Sequence, residues 1–351
     1  MALELVAVAP GQPELREYSE REPGPGEVLV RSRLATEKHG TMLLFYHGIS
    51  AMHARAWDGE HGLFQPLDPP PTGRVGFPCS LGNMAVGTVA AVGPGVEHLH
   101  VGDRVFGHLP IRESHTVPAS RVQLAPEGIA DEALVCIDPG LVALLGIREG
   151  QVRLGDTVAI FGLGAIGLMA VQMARLAGAL TVVGIEPIPL RAELARRYGA
   201  DLVINPREDT DPGLRVRQAT GMKGVDVSLE TSGSHAALHH AVRGTCYGGT
   251  IVPVAWYHGG AAELRLGEEW HFNRQTIVSG ARLESVPYRD HPRWDPERVE
   301  QTVLRLLQNG QLQVDGLLQP RVSIARAAEA YRHMAEHPEE TVKLTVDFTQ
   351  P

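Results

Sequence analysis

The chain has 351 residues, 43% of them hydrophobic, which is enough to bury a sizeable core and predicts two domains. Its formal net charge is −9 and it has no basic stripe, so we predict neither a nucleic-acid partner nor binding to an anionic membrane surface. The three cysteines, Cys79, Cys136 and Cys246, lie far apart, which excludes a four-cysteine zinc module and favours a reducing, cytoplasmic compartment. We also expect no signal peptide and no membrane span, since no basic start leads into a long apolar run.

Glycine and proline punctuate short apolar runs in the first third of the chain. Residues 24–34 (GPGEVLVRSRL) predict a turn and a strand, and residues 86–107 predict a strand, a glycine turn and a second strand. Short strands with this punctuation are typical of a small barrel or sandwich. Residues 47–78 have little periodicity, so we predict a long surface excursion of the kind that often forms a lid.

From residue 154 the pattern changes to alternating strands and helices. Short apolar runs predict strands at residues 157–161, 181–185, 202–204, 225–229, 250–254 and 276–279. Helical patterns separate most of them, including residues 165–177 and 190–198. Repeated strand–helix units predict right-handed crossovers and a parallel sheet.

The last part of the chain returns to a mixed pattern. Asp295 and Pro296 predict the start of a helix that runs to about Gln308, and Ser323 predicts the start of another that ends at Glu336. Residues 341–348 alternate in polarity and predict a terminal strand.

A glycine fingerprint follows the strand at residues 157–161. The sequence GLGAIG (Gly162, Gly164, Ala165, Ile166, Gly167) fits GxGxxG, and it stands between a predicted strand and a predicted helix, which is the context that the motif requires. The first glycine permits a tight turn, the second a close approach of the backbone to a pyrophosphate, and the third close packing of helix and strand. The helix N-terminus would then face the diphosphate.

Glu186 lies about 20 residues beyond this turn, at the end of the second predicted strand. An acidic residue there hydrogen-bonds the ribose hydroxyls of NAD and repels the 2′-phosphate of NADP. Arg191 complicates this, because an arginine nearby can pair with that phosphate. We predict NAD, with NADP as the less favoured cofactor; a Rossmann domain for FAD or S-adenosylmethionine is the alternative.

The chain resembles the medium-chain dehydrogenase/reductase family through GPGEVLVR (24–31), VGTVAAVGPGV (86–96), VGDRVFG (101–107) and FGLGAIG (161–167). The resemblance implies an α/β fold in which a Rossmann doubly wound parallel sheet is inserted into a GroES-like, β-barrel-type catalytic domain. The implied domains are residues 1–138 and 282–351 for the catalytic part and 139–281 for the dinucleotide-binding part.

The positions that resemble the family's zinc ligands differ in this sequence. Where zinc members carry Cys, His and Glu, the matching segments hold His39, Asn83 and Asp138. Asparagine is a poor zinc ligand, so we expect no zinc, although a site built from His39, Asp138 and an outside ligand is left open. The segments 39–48, 137–147 and 270–280 resemble a bacteriochlorophyllide dehydrogenase-like subgroup, which also lacks the zinc ligands.

The resemblance implies catalytic roles for four residues. Thr41 matches the family's hydroxyl relay, Asp138 is a candidate general base with His39 as its partner or a donor, and Asn83 is a candidate donor to the substrate oxygen. The alternatives are a structural turn or helix cap for Asp138 and a satisfied polar residue for His39. Further cofactor contacts are implied at Thr231, Ser232, Val252, Val254 and Gly280.

The favoured hypothesis is a zinc-independent, NAD-dependent dehydrogenase that oxidises a secondary alcohol of a sugar, cyclitol or related polyol by hydride transfer. The alternatives are an NADPH-dependent enoyl or quinone reductase and a non-catalytic dinucleotide-binding protein. The resemblance also implies a homodimer or homotetramer, paired through residues 250–254 or 270–280.

Overall fold

The computed structural model describes residues 1–49, 55–67, 76–280 and 290–350. The chain forms two compact units. The first is Met1–Cys136 together with Val314–Pro351, and the second is Ile137–Gln313.

The first unit is built mainly from strands. The strands are β1 (Ala2–Ala9), β2 (Gln12–Tyr18), β3 (Glu27–Thr36), β4 (Arg55–Asp58), β5 (Leu63–Pro66), β6 (Cys79–Ser80), β7 (Met84–Val92), β8 (Arg104–Gly107), β9 (Ser114–Pro118), β10 (Gln123–Leu124), β17 (Arg321–Val322) and β18 (Thr345–Asp347). A three-stranded sheet has the order β2-β1-β6. A seven-stranded sheet has the order β10-β8-β7-β3-β18-β17 with β9 also paired to β3, and β4 and β5 form a separate hairpin. The helices are α1 (His39–Tyr46), α2 (Asp131–Leu134) and α10 (Ala327–Glu336).

The two larger sheets of this unit share one apolar core. Leu5 of β1, Val30 of β3 and Val105 of β8 are buried in it, and Tyr46 and Tyr331 bring α1 and α10 onto it with ring centroids 5.0 Å apart. The central pairing of β3 with β7 is antiparallel. The predicted strands at residues 24–34 and 86–107 correspond to β3, β7 and β8.

The second unit contains a sheet of six parallel strands: β11 (Thr157–Phe161), β12 (Thr181–Ile185), β13 (Leu202–Ile204), β14 (Val225–Glu230), β15 (Thr245–Pro253) and β16 (Thr276–Ile277). Their order in the sheet is β13-β12-β11-β14-β15-β16. Counted within the unit, this order is 3-2-1-4-5-6, the order of a doubly wound dinucleotide-binding domain. The helices are α3 (Ile137–Glu149), α4 (Ala165–Leu176), α5 (Pro189–Arg197), α6 (Pro212–Ala219), α7 (His235–Gly244), α8 (Glu269–Phe272) and α9 (Pro296–Gln308).

The compact units do not coincide with the predicted domain bounds, which stay a prediction. Those bounds place Asp138 and residues 296–308 in the catalytic part, whereas both lie in the second unit. The reason is that α3 and α9 pack closely against each other: a Cβ at Gly140 would lie 2.7 Å from Cγ1 of Val303.

Three local expectations also differ. The predicted strand at residues 341–348 is reduced to β18, because the N–H groups of Val342 and Lys343 both donate to the carbonyl of Gln319 instead of joining a ladder. The helix expected directly after Ser323 begins with a 3-10 turn at Ile324–Arg326 before α10. The excursion at residues 47–78 contains the unforeseen β4–β5 hairpin, and its residues 50–54 and 68–75 lie outside the described residues.

No helix in the described ranges is both long enough and apolar enough to cross a membrane. The three cysteines are all unpaired, with Cys136 buried.

A buried carboxyl group lies between β3 and α1 in the first unit. Glu37 is 1% exposed, and neither of its carboxylate oxygens makes a hydrogen bond within the described part of the chain. The ammonium of Lys343 donates to the backbone carbonyl of Glu37 at 2.5 Å rather than to the carboxylate. Burial raises the pKa of Glu37 from 4.5 to about 7.

We predict that this carboxyl group makes the stability of the first unit depend on pH. Because the folded pKa is the higher one, the folded state keeps its proton between pH 4.5 and about 7 while the unfolded state has lost it. Stability therefore falls as pH rises through this window, by about 1.4 kcal/mol per pH unit. Glu37→Gln should lack this loss, so its thermal midpoint should rise relative to wild type from pH 5 to pH 8. A midpoint difference that stays constant across that range would contradict the prediction.

Candidate functional site

The glycine fingerprint forms the turn between β11 and α4. Gly162 has φ +89°, a conformation that favours glycine, and a Cβ there would lie 2.7 Å from Cβ and 2.9 Å from the amide nitrogen of Ser232. The turn is tied to the sheet by Gly162 N–H, which donates to the carbonyl of Ile185 at 2.9 Å. Gly162 is therefore required both by its backbone conformation and by the close approach of the segment after β14.

The second and third glycines have opposite surroundings. A Cβ at Gly164 would meet no atom within 4 Å, whereas a Cβ at Gly167 would lie 2.0 Å from the carbonyl oxygen of Gly162. Gly164, Ala165 and Ile166 are partly exposed at the N-terminus of α4, where the first N–H groups of a helix have no partner within the helix. This end of α4 therefore offers open space and free donors, which is the arrangement that receives a diphosphate.

Glu186 follows β12 directly and is 4% exposed. One carboxylate oxygen accepts from Leu163 N–H at 2.7 Å and the other from Ile188 N–H at 3.0 Å. Each oxygen keeps a further lone pair, so the carboxylate can still accept from a ligand hydroxyl. Burial raises the pKa of Glu186, although the charges of Arg191 and Arg207 act in the opposite direction.

Arg191 lies in α5, close enough to Glu186 for the two charges to interact. Burial lowers the pKa of its guanidinium, and the Glu186 carboxylate partly offsets this effect. The structure therefore brings the predicted acidic residue and the predicted arginine together beside the fingerprint turn.

Thr231 and Ser232 pack on the same turn from the end of β14. Thr231 N–H donates to the carbonyl of Phe161 at 2.9 Å, and its hydroxyl donates to the carbonyl of Gly162 at 2.6 Å. Ser232 is the residue that a Cβ at Gly162 would strike.

Val252, Val254 and Gly280 form a second group at the ends of β15 and β16. Val252 is 0% exposed and Val254 is 7% exposed. A Cβ at Gly280 would lie 2.8 Å from Val252 and 3.1 Å from Val254, and Gly280 N–H donates to the carbonyl of Pro253 at 2.9 Å. The two valine side chains are thus packed in the unit, so a ligand would meet the backbone of this group first.

Three of the candidate catalytic residues lie in the first unit. His39 is the first residue of α1, and its Nε2 accepts from Leu344 N–H at 3.3 Å. Thr41 lies in the first turn of the same helix. Asn83 N–H donates to the carbonyl of Thr36, the last residue of β3, at 2.9 Å, while the side-chain Nδ2 is buried and makes no hydrogen bond within the described residues. All three therefore lie near the end of β3, and Asn83 holds an unused donor.

Asp138 belongs to the second unit. It is the second residue of α3 and is 2% exposed. An acidic residue in the first turn of a helix interacts favourably with the helix dipole, which is a structural role close to the alternative left open for it. The prediction that Asp138 and His39 line one cleft joins residues of different units, and it stays a prediction.

Two residues at this site, Glu230 and Tyr257, are not among the predicted cofactor contacts. Glu230 ends β14 with 0% exposure, and its carboxylate accepts hydrogen bonds from Ser232, Gly233 and Tyr257. The signal was present as a charged residue at the end of an otherwise apolar strand, immediately before Thr231. Tyr257 carried no such signal, because its partner lies 27 residues away in sequence.

Two of the three residues at the zinc positions fit the metal poorly. Nε2 of His39 already accepts a backbone hydrogen bond, and Asn83 offers an amide where zinc sites use Cys, His or carboxylate.

Another group, His239, Glu268 and Glu269, has ligand atoms within 4.8 Å of one another in the described part of the chain. Arg265 donates to Nε2 of His239 at 2.9 Å and lies 3.4 Å from Glu268, and Arg243 pairs with Glu269. Two guanidinium groups therefore already supply the positive charge that a metal ion would bring.

Comparisons with known proteins agree with this architecture. Residues 24–130 match the alcohol dehydrogenase GroES-like domain, and residues 165–304 match the family described as zinc-binding dehydrogenase. D-guloside 3-dehydrogenase of Escherichia coli (strain K12) is 40% identical over 350 residues, which cover 98% of this chain and 99% of that protein. L-threonine 3-dehydrogenase of Pyrococcus horikoshii is 29% identical, with 91% of each chain covered. The crystal structure of 2R,3R-butanediol dehydrogenase from Bacillus subtilis has the same fold, with a TM-score of 0.77, 24% identity and 99% of each chain covered.

The chain therefore belongs to the zinc-type medium-chain dehydrogenase/reductase family, whose members are dinucleotide-binding dehydrogenases. It is an alcohol-type oxidoreductase, as its relatives are. The predicted family, fold class and enzyme class are confirmed. Membership of the bacteriochlorophyllide dehydrogenase-like subgroup stays a prediction.

The contrast between Gly164 and Gly167 gives a test of the fingerprint turn. We expect Gly167→Ala to destabilise the protein by about 1–3 kcal/mol, because its Cβ would overlap the Gly162 carbonyl. Gly164→Ala should cost less than about 1 kcal/mol, since Gly164 has φ −68° and open space around it and loses only the advantage of glycine over alanine at the N-cap of α4. Thermal unfolding of the two variants beside wild type measures both effects. Equal losses in the two variants would show that this difference in packing has no energetic consequence.

Proposed function

We propose that this protein is a zinc-independent, NAD-dependent dehydrogenase that oxidises a secondary alcohol of a sugar, cyclitol or related polyol. The observation that carries the cofactor part is the turn at Gly164, which is open to a ligand and has a buried carboxylate, Glu186, beside it. The substrate class is supported by the relative named D-guloside 3-dehydrogenase, and a D-guloside is therefore the first substrate to test.

The dinucleotide would lie across the ends of the parallel strands. Its pyrophosphate would meet the N-terminus of α4 at Gly164, Ala165 and Ile166, where the helix dipole and free N–H groups favour negative charge. When bound, the nicotinamide accepts the hydride from the carbinol carbon. The rest of the dinucleotide site would be lined by the backbone around Val252, Val254 and Gly280 and by the turn at Thr231 and Ser232.

The preference for NAD follows from Glu186. The free lone pairs of its carboxylate can accept hydrogen bonds from the hydroxyl groups of the adenosine ribose. Its negative charge repels the 2′-phosphate of NADP. The neighbouring charges of Arg191 and Arg207 reduce this repulsion, but the carboxylate of Glu186 still lies beside the fingerprint turn.

The proton chemistry is assigned to four side chains. Asp138 would accept the hydroxyl proton, with His39 as its partner or as a donor, and Thr41 would relay a proton through its hydroxyl. The unused Nδ2–H of Asn83 would donate to the substrate oxygen and stabilise its developing charge. Since Asn83 and the engaged Nε2 of His39 fit zinc poorly, the chain's own donors would serve where a metal serves in zinc members.

The direct experiment measures NADH formation by metal-analysed, chelator-treated protein with a D-guloside and a panel of other sugars, cyclitols and polyols. We expect turnover with NAD that survives chelation in protein carrying less than stoichiometric metal. Turnover that is lost on chelation and restored by zinc would refute zinc independence. Strong turnover of quinones or enoyl compounds with NADPH would refute the proposed reaction.

Asp138→Asn should separate proton transfer from cofactor binding. Removing the general base should lower kcat by about 10²–10⁴-fold, because the amide cannot accept the hydroxyl proton. The NADH dissociation constant should change less than about twofold, because Asp138 is not assigned to the dinucleotide. Steady-state kinetics and NADH fluorescence titration measure the two quantities. An unchanged kcat would assign Asp138 to the structural role at the start of α3.

Glu186→Ser should erode the cofactor preference. We expect the ratio of kcat/KM for NAD over NADP to fall by roughly tenfold or more, because the charge that repels the 2′-phosphate is gone while Arg191 and Arg207 remain. Glu193→Gln is the matched control. It removes an exposed carboxylate from α5, the helix that carries Arg191, and should keep the wild-type ratio. A ratio that is equally unaffected in both variants would exclude Glu186 as the determinant.

We further propose a homodimer or homotetramer, paired through the segment 270–280. Of the two predicted segments, residues 250–253 belong to β15, which has neighbours on both sides, so within the described residues β16 forms an edge of the sheet. Phe272 is 78% exposed next to that edge. Sedimentation velocity of wild type and Phe272→Asp tests this pairing.

A further inference from the structure

Among the described residues, Glu230 is the most heavily hydrogen-bonded carboxylate at the carboxyl ends of the parallel strands. One of its oxygens accepts from Ser232 N–H at 2.8 Å and from the Ser232 hydroxyl. The other accepts from Gly233 N–H at 3.1 Å and from the Tyr257 hydroxyl. Four donors on a fully buried group leave no room for a ligand, so any role of Glu230 must be exerted through the residues that it holds.

Those residues form the turn at 231–234, which packs directly on the fingerprint. Thr231 bonds to the carbonyls of Phe161 and Gly162, and Ser232 lies where a Cβ at Gly162 would be. Ser232 Oγ also accepts from Ser234 N–H at 3.2 Å, just before α7 begins. A shift of this turn would therefore move the carbonyl and backbone of Gly162.

Tyr257 connects a third strand to the same point. Val254 N–H and Ala255 N–H both donate to the backbone carbonyl of Glu230, at 2.8 and 3.2 Å, and the Tyr257 hydroxyl bonds to its carboxylate. Burial raises the pKa of Tyr257 and the adjacent carboxylate raises it further, so the phenol keeps its proton and remains a donor at neutral pH. The ends of β11, β14 and β15 are thus joined through one residue.

We propose that Glu230 and Tyr257 are a positioning pair that holds the turn at residues 231–234 against Gly162 in the shape that receives the dinucleotide. Ligands of doubly wound sheets bind at the carboxyl ends of the strands, which is the edge that this pair organises. A turn held in place before binding costs less to order when the ligand arrives, so the pair contributes to cofactor affinity without touching the cofactor.

The test compares NADH affinity in wild type, Tyr257→Phe, Glu230→Gln and the double variant. Tyr257→Phe should raise the NADH dissociation constant roughly tenfold, the factor expected when a buried charged group loses one hydrogen bond. KM for NAD should rise in parallel, whereas kcat at saturating NAD should change less than about threefold, because the reacting groups are untouched. The two single changes should not be additive in the double variant, since both break the same contact.

Tyr247→Phe is the matched control: it removes the hydroxyl of a tyrosine in β15 that is 66% exposed, and it should bind NADH as wild type does. Should Glu230→Gln fail to fold, Tyr257→Phe still carries the test, because it removes one of the four donors and keeps the carboxylate.

The inference rests on the proposed dinucleotide site, and the outcomes separate the two. If wild type does not bind NADH, the proposed function and the positioning pair are both refuted. If wild type binds and Tyr257→Phe binds within twofold of it, the positioning pair alone is refuted. A lower thermal midpoint with unchanged affinity has the same meaning, because it shows a purely structural contact.

Discussion

The close approach of two loops at the carboxyl edge of the parallel sheet is the constraint on which the candidate cofactor site depends. Gly162 and Ser232 are so near that no side chain fits at position 162, and a Cβ at Gly167 would lie closer still to the Gly162 carbonyl oxygen. Packing therefore requires glycine at both of these positions, and Gly164 is the one fingerprint glycine with open space around it. The shape that receives a ligand is thus a consequence of how tightly its supports are packed.

The parallel sheet could be predicted from sequence because its determinants are local. Strands buried on both faces appear as short apolar runs, and β11, β12 and β13 have the predicted bounds. The fingerprint could also be predicted from the sequence, because its glycines are required first by the tight turn between β11 and α4, which is local in sequence. The contact of Gly162 with Ser232 became evident only from the structure. Less of the first unit could be predicted from the sequence. There β18 is shortened by hydrogen bonds to Gln319, and the β4–β5 hairpin depends on residues without clear periodicity.

The rest of the site depends on pairings over long sequence separations. The role of Glu230 can be inferred only from the positions of Ser232, Gly233 and Tyr257 around its carboxylate. No pattern within the strand predicts a donor that lies 27 residues away in sequence. Asn83 shows the converse case. Its identity at a ligand-like position could be read from the sequence, but the free Nδ2–H became evident only from its burial beside β3. Sequence therefore located these residues and structure supplied their hydrogen-bonding state.

Three buried glutamates show how the number of donors decides what a carboxylate does. Glu230 has four donors and is a closed structural centre, whereas Glu186 has one backbone donor on each oxygen and keeps acceptor capacity beside an open turn. No donor among the described residues makes a hydrogen bond to the Glu37 carboxylate, and burial is the largest influence on its pKa, partly offset by Lys38, Lys343 and Gly82. All three are 4% exposed or less, so burial does not distinguish them. Because a buried carboxylate needs donors to stay ionised, the unfilled capacity of Glu186 is what suits it to a ligand's hydroxyl groups, and the saturation of Glu230 is what suits it to holding that ligand's site in place.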